Sequence, residues 1–287
     1  VTYSAKIVAD SRASGTRLTS IEVTFPRFIL AEFNTHRVFS RNSASSRAIP
    51  VELRIAQVRA NPFVPEAFGK NKSGMQATGS LEDREADEAR SAWLRAAQNA
   101  CHEAQNLANL GVHKQHANRI LEPYVWHTVI VTATEWENFF ALRTDKAAQP
   151  EMQITAKLMR DAMAASTPRE LGPGEWHLPY VEPSDRETAH AWSGAEGDCT
   201  PERLLLSMSV TRTAAVSFER QNAERSIREH AKRHDDLLAA GHMSPFEHQA
   251  RVLDPAIANI AMFHGNFRTP WMQYRKTLAG EDVWRSR

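Results

Sequence analysis

The segment Glu82–Leu110 constrains the fold more than any other. Ala86, Ala89, Trp93, Ala97, Cys101, Ala104 and Leu107 recur at three- and four-residue steps, which gives a helix one apolar stripe. Glu82, Asp83 and Glu85 occupy its first turns, where negative charge complements the helix dipole, and Gly111 stops it. Two other segments read as strands. Ser20–Phe28 alternates through Ile21, Val23 and Phe25 and is ended by Pro26. Val125–Thr134 is β-branched, and Thr134 is placed to cap a helix over 135–143.

The rest of the chain is organised around these elements. Arg27–Arg37 has helical character, Pro62–Ser80 is a Gly-, Lys- and Ser-rich loop, and Met152–Ala165 is a further amphipathic helix. Thr167–Pro201 holds so many Pro and Gly residues that it reads as a long connector. Helical patterns return over Pro201–Leu206 and Glu219–Ala240; Ala250–His264 is apolar with a break at Asp254-Pro255, and Gly265–Leu278 is basic and aromatic.

Composition excludes several classes. With 35 Lys+Arg against 34 Asp+Glu, the net charge is +1, which argues against a protein that coats nucleic acid through counterion release. A small anionic substrate stays open, because a few Arg can converge in a neutral protein. Cys101 and Cys199 cannot form a disulfide framework or a Cys-rich zinc site and fit a reducing, cytoplasmic compartment. Cys101 lies on the apolar stripe and reads as a buried small residue. No run is long enough to span a membrane, and no signal-peptide pattern is expected at Val1.

No Gly-rich phosphate loop and no His-Glu-x-x-His element is present. His230 and His234 share a helical spacing, but Arg228, Lys232 and Arg233 around them would repel a cation; a solvated helix face is expected, and no metal site. Two stretches stand out. Thr35-His36-Arg37-Val38-Phe39-Ser40-Arg41-Asn42-Ser43-Ala44-Ser45-Ser46-Arg47 concentrates Arg, His and hydroxyl donors, a set suited to phosphates and pyrimidine carbonyls. By composition alone it also reads as a solvated loop. Gly241-His242-Met243-Ser244-Pro245-Phe246-Glu247-His248 follows a helix end; its His and Glu serve as hydrogen-bonding groups at a turn more readily than as metal ligands.

Together these stretches resemble the flavin-dependent thymidylate synthase family. The family's Arg-His-Arg signature corresponds to Thr35–Arg47, and its Gly-His-x-Ser/Thr-Pro-Phe-Glu-His segment to Gly241–His248. Further matches are Arg212–Phe218, Arg119-Ile120-Leu121-Glu122-Pro123 and Asn138–Gln153. The order is that of a circular permutation: residues 1–166 resemble the family's C-terminal part and 202–248 its N-terminal part. The stretch 167–201 is then the connector and 249–287 a surplus tail, all within one domain. In that tail Gly265–Lys276 loosely echoes the helix before the Arg-His-Arg signature; it reads equally as a diverged copy that lends charge to the site or as a solvated basic tail.

The resemblance implies a mixed α/β (α+β) fold, with a central, mainly antiparallel sheet flanked by long helices. It implies transfer of a one-carbon unit from methylenetetrahydrofolate to carbon 5 of a deoxypyrimidine monophosphate, dUMP foremost, with FAD and NADPH and without an enzyme thiolate. By resemblance, Arg143, Ser45 and His36 are the catalytic positions, and Glu32, Ser45, Ser46, Arg47, Arg119 and Arg143 contact the nucleotide. His36, Arg37, Asn42, Asn138, Ser217, His242, Ser244 and Glu247 fall at flavin-contacting positions. A homotetramer with sites at subunit contacts is also implied. The chain departs from the family at Glu32, Thr35, Ser43, Thr132, Thr134 and Ala147, several of them positions that touch flavin. The departures leave open a hydroxymethylating relative and a nucleotide-binding protein without catalysis. Glu32 near a phosphate would need a cation, which the tail's Arg or Lys could supply.

Overall fold

The computed structural model describes residues 2–74, 76–193, 200–216 and 225–281. Strands β1 (Ser4–Ala13), β2 (Thr16–Pro26), β3 (Ser40–Ser43), β4 (Trp126–Ala133) and β5 (Arg169–Glu170) form one sheet in the order β3-β4-β2-β1-β5. All its pairings are antiparallel except β1 with β5. A second, antiparallel sheet is built from β6 (Trp176–His177), β7 (Ala250–Val252) and β8 (Trp271–Gln273). The mixed α/β fold with a mainly antiparallel sheet is therefore as expected.

The hairpin β1–β2 closes on Ser14 and Gly15, both at positive φ (46° and 82°), the geometry of a two-residue turn that follows the strand twist. Across it, β2 lies between β1 and β4, and its Leu18, Ile21, Val23 and Phe25 are fully buried. Val23 faces Val129 and Ile21 faces Val131 in the register of β2 with β4. Over this sheet packs the helix Pro150–Ala165, through Met152, Ala156 and Met159.

Named in chain order, the principal helices are α1 (Val51–Ala60), α2 (Asp83–Asn109), α3 (Glu137–Arg143), α4 (Pro150–Ala165), α5 (Pro183–Ser193), α6 (Pro201–Ala214) and α7 (Ile227–Ala239). The apolar stripe of α2 buries Ala97, Cys101 and Ala104 against Val51, Ile55 and Val58 of α1. Burial pushes the Cys101 thiol up, so it is an inert core group, as its place on the stripe implies. Among the described residues no helix is long and apolar enough to cross a membrane.

Four expectations are corrected. The stretch 167–201 carries β5, β6 and α5 and is not a plain connector; Leu171, Leu178 and Ala189 enter cores, which its Pro content concealed. Thr134 does not cap α3, whose N-cap is Trp136; the Thr134 hydroxyl instead accepts the backbone N–H of Arg268. Of the two readings of the tail, the solvated one fails at Trp271, which is fully buried and donates its indole N–H to the Thr16 carbonyl at 3.2 Å. His230 and His234 are buried as well, against Thr211 (2.5 Å) and Tyr274 (3.1 Å). The apolar face of α7 thus contains both imidazoles, and the charged neighbours line the other face. Among the described residues no group of three or more His, Cys, Asp or Glu is placed to hold a metal ion.

A buried chain of hydrogen bonds crosses between the sheets. His248 Nδ1 meets Thr132 Oγ1 (2.8 Å), Thr132 meets Ser20 Oγ (2.6 Å), Ser20 meets His177 Nε2 (2.9 Å), and His177 Nδ1 meets Ser11 Oγ (2.9 Å). Burial pushes His177 and His248 down to about 3, and His127 likewise, with the charges of Arg27 and Arg54 adding to its shift. Their folded pKa values lie below the unfolded value near 6.5. The folded state consequently binds fewer protons below that pH, and stability is full above about 6.5 and falls as pH drops toward 3. Each histidine contributes a slope approaching about 1.4 kcal/mol per pH unit within that window. Urea denaturation at pH 7.5 and pH 5 is expected to show a clearly lower midpoint at pH 5; equal midpoints would refute neutral burial.

Candidate functional site

The first half of the site grows from the turn after β2. Residues Leu30–Phe33 form one helical turn, and Phe33 and Phe39 are buried against Phe139 of α3. This aromatic cluster fixes His36, whose ring stands edge-on to Phe139 at 4.8 Å. From α3, Arg143 Nε donates to His36 Nε2 at 2.8 Å and Arg143 Nη2 donates to Thr35 Oγ1 at 3.0 Å. An acceptor at Nε2 requires the neutral imidazole with its proton on Nδ1. Burial, then the charges of Arg143 and Arg41, hold His36 below the ordinary histidine range. Thr35, where the family has Arg, is thus the second anchor of Arg143.

Next along the chain, β3 carries Asn42. Its Nδ2 donates to the Thr213 carbonyl at 2.8 Å, and its Oδ1 accepts from Ser244 Oγ at 2.9 Å. One side chain therefore joins the two motif stretches and the end of α6. Asn42→Ala removes a donor to a backbone carbonyl and an acceptor together; it is expected to cost about 1–3 kcal/mol, read by chemical denaturation. The Glu247 carboxylate, three residues after Ser244, is engaged by Arg275, which also binds Glu281 at 2.6 Å. Gln273 Nε2 donates to Ser40 Oγ and to the Glu247 carbonyl, each at 3.0 Å. Arg268 pairs with Glu135, and Lys276 with Glu281 at 2.5 Å. The described tail cations Arg268, Arg275 and Lys276 are accordingly committed elsewhere, and the expected pairing of Glu32 with them does not occur. Glu32 is half-buried and has no ion pair among the described residues.

A second cluster lies beyond the turn at Ser45. Ser46 is buried and donates to the Glu122 carboxylate. The same carboxylate pairs with Arg27 Nε at 3.1 Å and Arg119 Nη1 at 2.9 Å. Asn118 holds the turn by donating to the Ser46 and Ile49 carbonyls at 2.7 and 2.8 Å. Arg54 is buried nearby, and burial followed by the Arg27 charge pushes it down to about 10. Three guanidinium groups against one carboxylate leave a cationic surplus. Ser45, Arg47 and Arg119 are exposed at its edge.

Arg37, Arg47, Asn138 and His242 are exposed, and their side chains make no hydrogen bond or ion pair among the described residues. Ser217 lies outside those residues. Thr132 and Thr134 face the buried chain and the tail. Sequence reasoning missed Arg27, Arg54, Gln273 and the role of Glu122. The three-residue step from Arg119 to Glu122 signalled the last, whereas the others depend on contacts far along the chain.

The family model described as thymidylate synthase complementing protein matches residues 18–169. No curated protein matches the chain. Among solved structures, the UMP/dUMP methylase PolB from Streptomyces cacaoi bound with 5-Br UMP is 19% identical, covering 56% of this chain and 88% of its own, with a TM-score of 0.49. Its form bound with 5-Br dUMP is 19% identical over 56% and 90%, with a TM-score of 0.48. Thymidylate Synthase X from Helicobacter pylori with FAD and dUMP is 20% identical over 51% and 67%, with a TM-score of 0.38.

Proposed function

The chain belongs to the thymidylate synthase complementing protein family, and from that premise we propose that it is an enzyme transferring a one-carbon unit to carbon 5 of a deoxypyrimidine monophosphate, dUMP foremost. The observation that carries this reading is the clasp of Arg143 on His36 and Thr35. Two of the five guanidinium N–H groups are used there, and the others, unbonded among the described residues, are available to a base carbonyl on which negative charge develops. His36 stays neutral, so the charge offered to the base is that of Arg143. Arg119 and Arg47 bind the phosphate, with Arg27 and Arg54 adding to the positive field, and Ser45 orients the base or ribose.

The donor set fits a flavin dinucleotide. Arg37, Asn138 and His242 are donors without partners among the described residues and would hold it, with Asn42 and Ser244 setting the junction between their segments. FAD supplies reducing equivalents when bound; NADPH as their source and methylenetetrahydrofolate as one-carbon donor complete the proposal. The permuted order of the blocks is part of it, supported by the bonds of Asn42 to both Thr213 and Ser244. So are a homo-oligomeric assembly and a cytoplasmic setting. A second reading, hydroxymethyl transfer completed by water, draws on Thr132 and Thr134, which depart from the family pattern and whose hydroxyls are engaged internally by His248 and the Arg268 backbone.

The test incubates the full chain with dUMP or dCMP, methylenetetrahydrofolate, FAD and NADPH, and weighs the nucleotide product by mass spectrometry. A methyl gain on dUMP is expected; a hydroxymethyl gain selects the second reading. No mass gain on any pyrimidine nucleotide would end the enzymatic proposal. A protein that stays colourless after FAD is added would remove its flavin part.

A further inference from the structure

The segment 169–186 builds a concave surface that none of the residues discussed above as candidate ligand contacts lines. It is a cleft of about 210 Å³ between β1 and the start of α5, walled by Val8, Ser11, Arg169, Leu171, Trp176 and Arg186. Its apolar floor is continuous with the core through Leu171 and Leu178, both buried. Its polar groups are unbalanced. Arg186 is half-buried and makes no hydrogen bond or ion pair among the described residues. The acid beside it, Asp185, is held by both Nη atoms of Arg212 at 2.5 and 2.8 Å. Arg169 has one exposed partner, Glu175, at 3.0 Å. Burial and the neighbouring Arg169 charge both disfavour the Arg186 cation.

Asp10 also lines the cleft, but its carboxylate is already saturated by Arg17 (2.9 and 2.6 Å), Ser166 (2.6 Å) and Thr19 (3.1 Å). Trp176 has a buried indole N–H with no acceptor. The Arg251 guanidinium lies 5.6 Å from the centre of its ring. Among the described residues, the side-chain groups at the cleft that lack a partner are thus a donor and a cation, Trp176 Nε1 and Arg186, set against an apolar floor. Such a site is completed by a ligand that brings acceptors, negative charge and a small apolar body.

We propose that this cleft binds a small organic anion, with a carboxylate or phosphate monoester between Arg169 and Arg186 and an apolar body against Leu171, Leu178 and Trp176. At about 210 Å³ it is smaller than a pocket for a drug-sized molecule and suits a single ring. The proposal does not depend on the activity proposed above.

Isothermal titration of the full chain, saturated with dUMP to fill the nucleotide site, uses phenyl phosphate, benzoate, inorganic phosphate and benzamidine as probes. Phenyl phosphate or benzoate is expected to bind, and whichever binds more tightly identifies the acidic group. Benzamidine is expected not to bind, and inorganic phosphate to bind at least about tenfold more weakly than the better organic anion. Arg186→Gln, which breaks no hydrogen bond or ion pair among the described residues, is expected to weaken binding about tenfold or more, and Arg186→Lys to restore part of it. Absence of binding by both organic anions would overturn the proposal. So would undiminished binding by Arg186→Gln, or binding lost in Arg47→Ala but kept in Arg186→Gln, which would place the probe at the nucleotide site.

Discussion

Arg143→Ala is expected to lower kcat/KM for the nucleotide by about 10²–10³-fold, the usual cost of removing one preorganised donor to developing negative charge. The side chain is anchored twice, at His36 and Thr35, so in the proposed role it needs no ordering before it meets the substrate. Arg143→Lys keeps the charge but cannot make the planar fork, and an intermediate loss is expected. The effect should fall mainly on kcat, because the phosphate contacts proposed for Arg119 and Arg47 are left in place. Steady-state assays with mass detection, alongside circular dichroism to verify folding, decide the matter. A folded Arg143→Ala protein with normal turnover would sink the assignment of this residue to the base.

The largest stability effect is expected at Trp271→Ala. The ring is fully buried among Leu18, Leu171, Val252 and Phe267, and large-to-small substitution of a buried Trp costs about 3–5 kcal/mol. The substitution also leaves the Thr16 carbonyl without its donor. A fall in Tm of roughly 6–20 °C follows for a domain of this size. Arg268→Ala is the matched control in the same segment: its pair with Glu135 is exposed, and such pairs contribute about 1 kcal/mol or less. Differential scanning calorimetry of the two variants separates a tail that completes the domain from one that merely lies on it, since the latter would show similarly small shifts for both.

The parts legible in the sequence are those whose pattern is local. The stripe of α2, the alternation of β2 and the β-branched run of β4 each announce their element within a dozen residues. Strand β1 escaped because Ala, Lys and Asp dilute its strand propensity, and the irregularity between Ile7 and Ala9 breaks its alternation. The buried imidazoles of α7 escaped because periodicity cannot tell a His that satisfies a buried Thr from one that faces water. Resemblance supplied candidate positions, but it could not show that Glu247 is engaged by Arg275, or that Arg27 and Arg119 share Glu122. Those are pairings of charge made across the fold, and nothing in the local spacing of Arg275 points toward Glu247.

The bond between Ser40 and Gln273 spans 233 residues, and this separation matters during synthesis. Chains grow at about 5–20 residues per second, so one half of the junction waits on the order of 10–50 s for the other. During that interval β2 and β4 can pair, while the surfaces later covered by Phe246 and Trp271 are open to solvent and to other nascent chains. Yield in the cell is therefore expected to respond to slower translation or to chaperone supply.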